Sequence, residues 1–289
     1  MKIVIVGCGE VGLAYAEKAL RLSSAPRLEL LDPAPASAAV AFADGRSLSL
    51  HRETGQWLSG AELVLLATPG GALQPVLDSL LPRLPAGAVI ADLSTASADA
   101  KRDAASRCAQ TSARYVDIAI TGSVAVSGAA TPLLYAGETI PELLDLFREL
   151  GAPVTVLDDS RPGDAMRVKL LRSVLMKGLE ALAVECLPAA RAYGVLDQLW
   201  PALQDVDRTG FANLLQAMTR THPRHAARRE YEVAQAAEQL EQIGCPSAMT
   251  RATEQCFAVT RAAADSSVPE ADTVDAAIGW ITATRSNPL

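Results

Sequence analysis

A chain of 289 residues, 49% hydrophobic and 20% charged, has the composition of a folded globular protein and is long enough for two domains. Its net charge of −7 argues against a nucleic-acid binder, which needs a basic face, and against an anionic membrane surface. Five cysteines without a C-x-x-C pair and only three histidines argue against a disulfide framework or a metal site, so a reducing, cytoplasmic setting is expected.

The chain opens with the strand Lys2–Val6 running into Gly7-Cys8-Gly9-Glu10-Val11-Gly12 and a helix over Val11–Leu22. Further strands are predicted at 27–31, 62–67, 88–92, 114–117, 133–136 and 154–157, with helices at 72–80, 98–108 and 141–150. Strands alternating with helices imply βαβ units and a mostly parallel sheet covered on both faces. The loop Asp32–Ser37 reads as a turn after the second strand. Helical periodicity then takes over, with turns expected at Tyr193–Gly194, Thr221–Pro223 and Gly244–Pro246. The fold class is therefore an α/β dinucleotide-binding domain of the Rossmann type over residues 1–160, followed by an all-α domain over 161–289. A long interdomain helix, running to about Ala192 despite Pro188, opens the second domain.

The glycine turn fits G-x-G-x-x-G in the context that gives it meaning, between a strand and a helix. Gly7 permits the tight turn, Gly9 lets the backbone approach a pyrophosphate, and Gly12 lets helix and strand pack closely. Glu10 and Val11 sit at the helix N-terminus that would face the phosphates. Cys8 reads as a small turn residue. Asp32, at the end of the second strand, can accept hydrogen bonds from the adenine ribose and would repel a 2′-phosphate. NAD is thus the expected cofactor, with NADP kept open because Arg46 or Arg52 could reach the site.

The segment Gly163–Leu182, GDAMRVKLLRSVLMKGLEAL, places Lys169, Ser173, Lys177 and Glu180 within roughly 80° of one another on a helix. Leu171, Leu175, Leu179 and Leu182 lie opposite. This stripe is either the solvated face of an amphipathic helix or the polar lining of a cleft in which Lys169 handles protons.

Three stretches following the glycine turn in order, Ala91-Asp92-Leu93-Ser94-Thr95, Asp117-Ile118-Ala119-Ile120-Thr121-Gly122-Ser123 and Gly163 with Lys169 six residues on, resemble the β-hydroxyacid dehydrogenase superfamily. KLLRSVLMKGLEAL and HAARREYE are similar to a little-characterised, 6-phosphogluconate dehydrogenase-like branch. The resemblance implies Lys169 as catalytic general acid/base, with Thr121, Gly122, Ser123 and Ser173 binding substrate. It places Thr68, Pro69, Ser94 and Thr95 beside the cofactor and suggests a homodimer through the helical domain. Two departures stand out. Ser173 replaces the family's asparagine four residues after the lysine, and Ser123 replaces the second glycine of the substrate turn.

A lysine accepts a proton near neutral pH when burial or a neighbouring cation lowers its pKa. Lys177 and Arg172 could supply that field or bind an anionic substrate, the latter being preferred. His225, Arg228, Arg229 and Glu232 share a helical face, which is either solvated or brings His225 and Arg229 to an anionic group. His222 reads as a turn residue. The leading expectation is an NAD(P)-dependent oxidoreductase interconverting a small anionic hydroxyacid and its oxo form. An imine or ketimine reductase on the same scaffold, or a catalytically silent nucleotide-binding protein, are the alternatives.

Overall fold

KIVIV and LVLL are apolar at every position but the first lysine, the pattern of strands covered on both faces. In the computed structural model, which describes residues 1–264 and 273–285, these segments form the centre of an eight-stranded sheet. Its strands are β1 (Lys2–Val6), β2 (Arg27–Leu31), β3 (Ser49–His51), β4 (Leu63–Leu66), β5 (Val89–Asp92), β6 (Arg114–Ile120), β7 (Leu133–Gly137) and β8 (Val154–Val156). The order is β3-β2-β1-β4-β5-β6-β7-β8, and every pairing is parallel except β6 with β7. Between β1 and β4 the order reverses direction, which opens a crevice at the carboxyl ends of the strands.

The connecting helices are α1 (Glu10–Ala19), α2 (Ser37–Asp44), α3 (Leu73–Leu80), α4 (Ala98–Gln110), α5 (Val124–Ser127) and α6 (Pro141–Glu149). Alternation along β1 sends Ile3 and Ile5 into one core, with Tyr15, Leu30, Leu65 and Phe147. Val4 and Val6 enter the other, with Leu66, Leu73, Leu77, Ile90, Ala104 and Cys108. Each fully buried leucine of α3 contributes about 1.5–3 kcal/mol relative to exposure.

The helical segments are α7 (Asp164–Ala192), α8 (Leu196–Ala202), α9 (Gln204–Thr209), α10 (Phe211–Gln242), α11 (Ala248–Ala264) and α12 (Val274–Arg285). The chain divides into two compact units, Met1–Ser173 and Val174–Leu289, so the first turns of α7 belong to the sheet-containing unit. Within the second unit α10 packs against α11 and α12. Buried Glu185 accepts the backbone N–H groups of Met249 at 2.6 Å and Thr250 at 3.0 Å, satisfying the start of α11.

Three readings of the sequence are corrected. α2 and β3 are additional elements, and β6 continues to Ile120 beyond the expected end at Asp117. The turn expected at Thr221–Pro223 is instead the interior of α10, with Pro223 buried. Packing there outweighs the backbone hydrogen bond that proline cannot donate.

Candidate functional site

The glycine turn leaves β1 at the crevice, and Gly7 and Gly12 are required by contact, Gly7 also by conformation. Gly7 has φ +89°, and a Cβ there would lie 2.6 Å from the Ala67 carbonyl oxygen. A Cβ on Gly12 would sit 1.9 Å from the Gly7 carbonyl oxygen. Gly9, by contrast, would meet nothing within 4 Å and so faces open space. The Asp32 carboxylate accepts the N–H groups of Cys8 at 2.8 Å and Ala34 at 2.9 Å, tying the turn to the end of β2. Burial, reinforced by the Asp32 charge, pushes the Cys8 thiol up to about 12, so it is no nucleophile.

Two cavities of the first unit meet this turn. One, of about 500 Å³, is lined by Gly7, Asp32, Pro33, Arg52, Thr68 and Pro69, among others. The Thr68 hydroxyl is buried and without a hydrogen-bond partner. Arg46 is committed elsewhere, paired with Glu17 and stacked on Phe42. The open face of Gly9, the acidic end of β2 and the orphaned Thr68 hydroxyl together fit a dinucleotide.

The second cavity, of about 530 Å³, is lined by Glu10, Val11, Thr95, Thr121, Gly122, Ser123, Lys169, Arg172 and Ser173. It thus gathers the expected lysine, the substrate-type turn and Ser173 into one place. Ser94 is buried, and its hydroxyl accepts the Ala96 N–H at 3.3 Å, which leaves Thr95 as the exposed member of that pair. A Cβ on Gly70 would lie 2.6 Å from the Thr95 carbonyl oxygen, so the loops after β4 and β5 are in close contact. Thr121 is held by its N–H and hydroxyl to the Pro132 carbonyl, at 2.9 and 3.0 Å.

Lys169 is half-buried, whereas the apolar positions around it, Leu170, Leu171 and Val174, are exposed. The polar stripe is therefore split: Lys169 and Ser173 line the cavity, while Lys177 and Glu180 are exposed and pair with each other at 3.0 Å. Burial and then the Lys101 ammonium push the Lys169 amine below its usual value, opposed by Asp117. Lys101, which was not among the expected neighbours, thus joins the cations near Lys169, while Arg172 shares its cavity.

Lys101 was not singled out from the sequence. It is fully buried, 2.8 Å from one Asp117 carboxylate oxygen and 3.4 Å from an Asp92 carboxylate oxygen, and it donates to the Asp92 carbonyl at 3.0 Å. The other Asp117 oxygen accepts the N–H groups of Gly163 at 2.9 Å and Met166 at 3.3 Å, where α7 begins. Tyr115 donates its hydroxyl to Asp92, which also accepts the Ser94 N–H at 2.7 Å. The signal available in sequence was spacing: Lys101, Ala104 and Cys108 share the core-facing side of α4.

His225 and Arg229 belong to the second unit. There Arg229 lines a cavity of about 310 Å³ with Met218, His222 and Phe257, a lining that does not include His225. Arg229 donates to the Thr221 hydroxyl at 3.0 Å, and Arg228 pairs with Glu232. His222 sits inside α10 rather than in a turn, 2.7 Å from the Thr260 hydroxyl. Among the described residues no cluster could hold a metal ion, and no helix is long and apolar enough to cross a membrane.

A conserved hypothetical protein from Sinorhizobium meliloti 1021 is 27% identical, over 98% of this chain and 96% of its own, with a TM-score of 0.59. An imine reductase from Bacillus cereus shares the fold at 16% identity, over 97% of this chain and 99% of its own, with a TM-score of 0.75. An uncharacterised 28.5 kDa protein of Methanothermus fervidus is 27% identical over 42% of this chain. The chain spans about half, 46%, of the length of that curated relative. Residues 190–260 match a domain of unknown function, DUF1932. Residues 2–157, more than half of the chain, match the NAD binding domain of 6-phosphogluconate dehydrogenase, and the chain belongs to that family of NAD-binding oxidoreductases.

Proposed function

We propose that the protein interconverts a small anionic hydroxyacid, or a related alcohol, and its oxo form, with Lys169 as general acid/base. The observation that carries this reading is the placing of a half-buried lysine of lowered basicity in one cavity with Thr121, Ser123, Arg172 and Ser173. NAD, when bound, would supply the redox chemistry as hydride acceptor or donor. Gly7, Gly9 and Gly12, the α1 N-terminus and Asp32 would hold it, with Thr68, Pro69 and Thr95 beside it. In oxidation the neutral Lys169 amine takes the hydroxyl proton; in reduction its ammonium returns it to the carbonyl oxygen. Arg172 attracts the anionic group, and the Thr121–Ser123 turn and Ser173 orient the hydroxyl. Lys177, His225 and Arg229 are left outside this assignment. The exposed apolar positions of α7, Leu171, Leu175, Leu179 and Leu182, support assembly as a homodimer.

A second reading, reduction of an imine, is supported by the fold shared with imine reductases. Steady-state assays of hydroxyacids, their oxo forms and cyclic imines, each with NAD(H) and NADP(H), separate the two. Turnover of hydroxyacids with NAD supports the first reading, and turnover confined to imines overturns it.

A further inference from the structure

Every buried charge needs a partner, and most in this protein have one that ends the matter. Lys101 is different because its partner is also the clamp on another element. Asp117 divides its two oxygens between the Lys101 ammonium and the first N–H groups of the segment that carries Lys169. The start of α7 is fixed from a second side as well. Gly163 has φ +100°, and a Cβ there would lie 2.5 Å from the Ala98 carbonyl oxygen at the beginning of α4, the helix that bears Lys101. One buried ion pair therefore joins α4, β6 and the start of α7, the helix that carries Lys169.

We propose that Lys101 is a positioning residue for Lys169: paired with the carboxylate that anchors α7, it fixes where Lys169 stands and supplies the charge that Lys169 meets. This rests on the reading of Lys169 as the proton-transferring amine. Among the described residues, the charged groups that share the Lys169 cavity are Glu10 of α1 and Arg172 of α7, and the buried Lys101 and Asp117 also act on it. Asp92 and Tyr115 complete the buried group. Lys101 and Asp117 carry opposite charges, so removing one or the other should move the Lys169 midpoint in opposite directions, which a purely structural role does not produce.

The test needs no substrate. Trace labelling of the full-length protein with acetic anhydride across pH, read by peptide mass spectrometry, reports the fraction of Lys169 present as free amine. In Lys101→Met the Lys169 midpoint moves to higher pH, and labelling below that midpoint falls severalfold. In Asp117→Asn, which keeps an oxygen for the α7 N–H groups, the midpoint moves to lower pH and labelling rises severalfold. Lys101→Arg keeps the charge and retains the wild-type profile. Wild-type profiles in both charge-removing variants, or shifts of both in the same direction, overturn the proposal. If Lys101→Met does not fold, Asp117→Asn decides alone: a downward shift supports the proposal and no shift overturns it. Failure of the Lys169 assignment is separate, because full turnover by Lys169→Met would refute it whatever these profiles show.

Discussion

Replacing Gly163 by alanine tests whether the start of α7 is held as tightly as its geometry requires. Two costs combine there. An L-residue at φ +100° is strained by roughly 1–3 kcal/mol. The new methyl would also lie 2.5 Å from a backbone carbonyl oxygen, so that α7 or α4 must shift, an overpacking cost of about 1–3 kcal/mol. Taking about 3 kcal/mol in all, and roughly 2–4 °C per kcal/mol for a unit of this size, Tm should fall by roughly 6–12 °C. The same substitution at Gly178, in the same helix, meets nothing within 4 Å and should be stabilising by up to about 1 kcal/mol. Thermal unfolding followed by circular dichroism compares the two. Equal Tm values for Gly163→Ala and wild type would refute the argument.

Gly12→Ala, whose methyl would sit 1.9 Å from the Gly7 carbonyl oxygen, should abolish NADH binding by fluorescence titration; retained affinity would show that the turn can open. Glu29 is buried, which raises its pKa, yet the hydrogen bonds from His51 and Arg27 and the nearby Lys2 together hold it below the usual carboxylate range. Its folded value being depressed, its contribution is fully present above the unfolded carboxylate pKa and is lost as pH falls through the folded value. Glu29→Gln should therefore cost about 1–3 kcal/mol at neutral pH and less in acid, measured by urea unfolding at each pH. Cys8, with its thiol at about 12, is about one part in ten thousand thiolate at pH 8 and should resist iodoacetamide in the native protein, while exposed Cys186 reacts.

The sheet was legible because its strands carry uninterrupted apolar runs between helical patterns, and the glycine turn because Gly7 and Gly12 each have a separate steric reason. What escaped has physical causes too. SAAVAFAD reads as a continuation of the Pro/Ala-rich loop, and β3 is three residues long, so neither offers a period to count. Pro223 breaks a helix by local rules and is tolerated because it is buried among helices of its own unit. Lys101 looks like a solvated charge in ADAKRDAAS, since a lysine is buried only when it is paired, and its partners lie outside its helix, on the two strands that flank α4. On α7 the sequence left two readings of the polar stripe open, because periodicity alone does not say which face is covered; at Lys169 and Ser173 it is the cavity-lining one.

Turnover of Lys169→Met tests the account most directly. With a hydroxyacid that the wild-type protein oxidises, the variant should bind NADH with unchanged affinity while kcat falls by several orders of magnitude. Wild-type kcat in Lys169→Met would contradict the assignment of proton transfer to this residue.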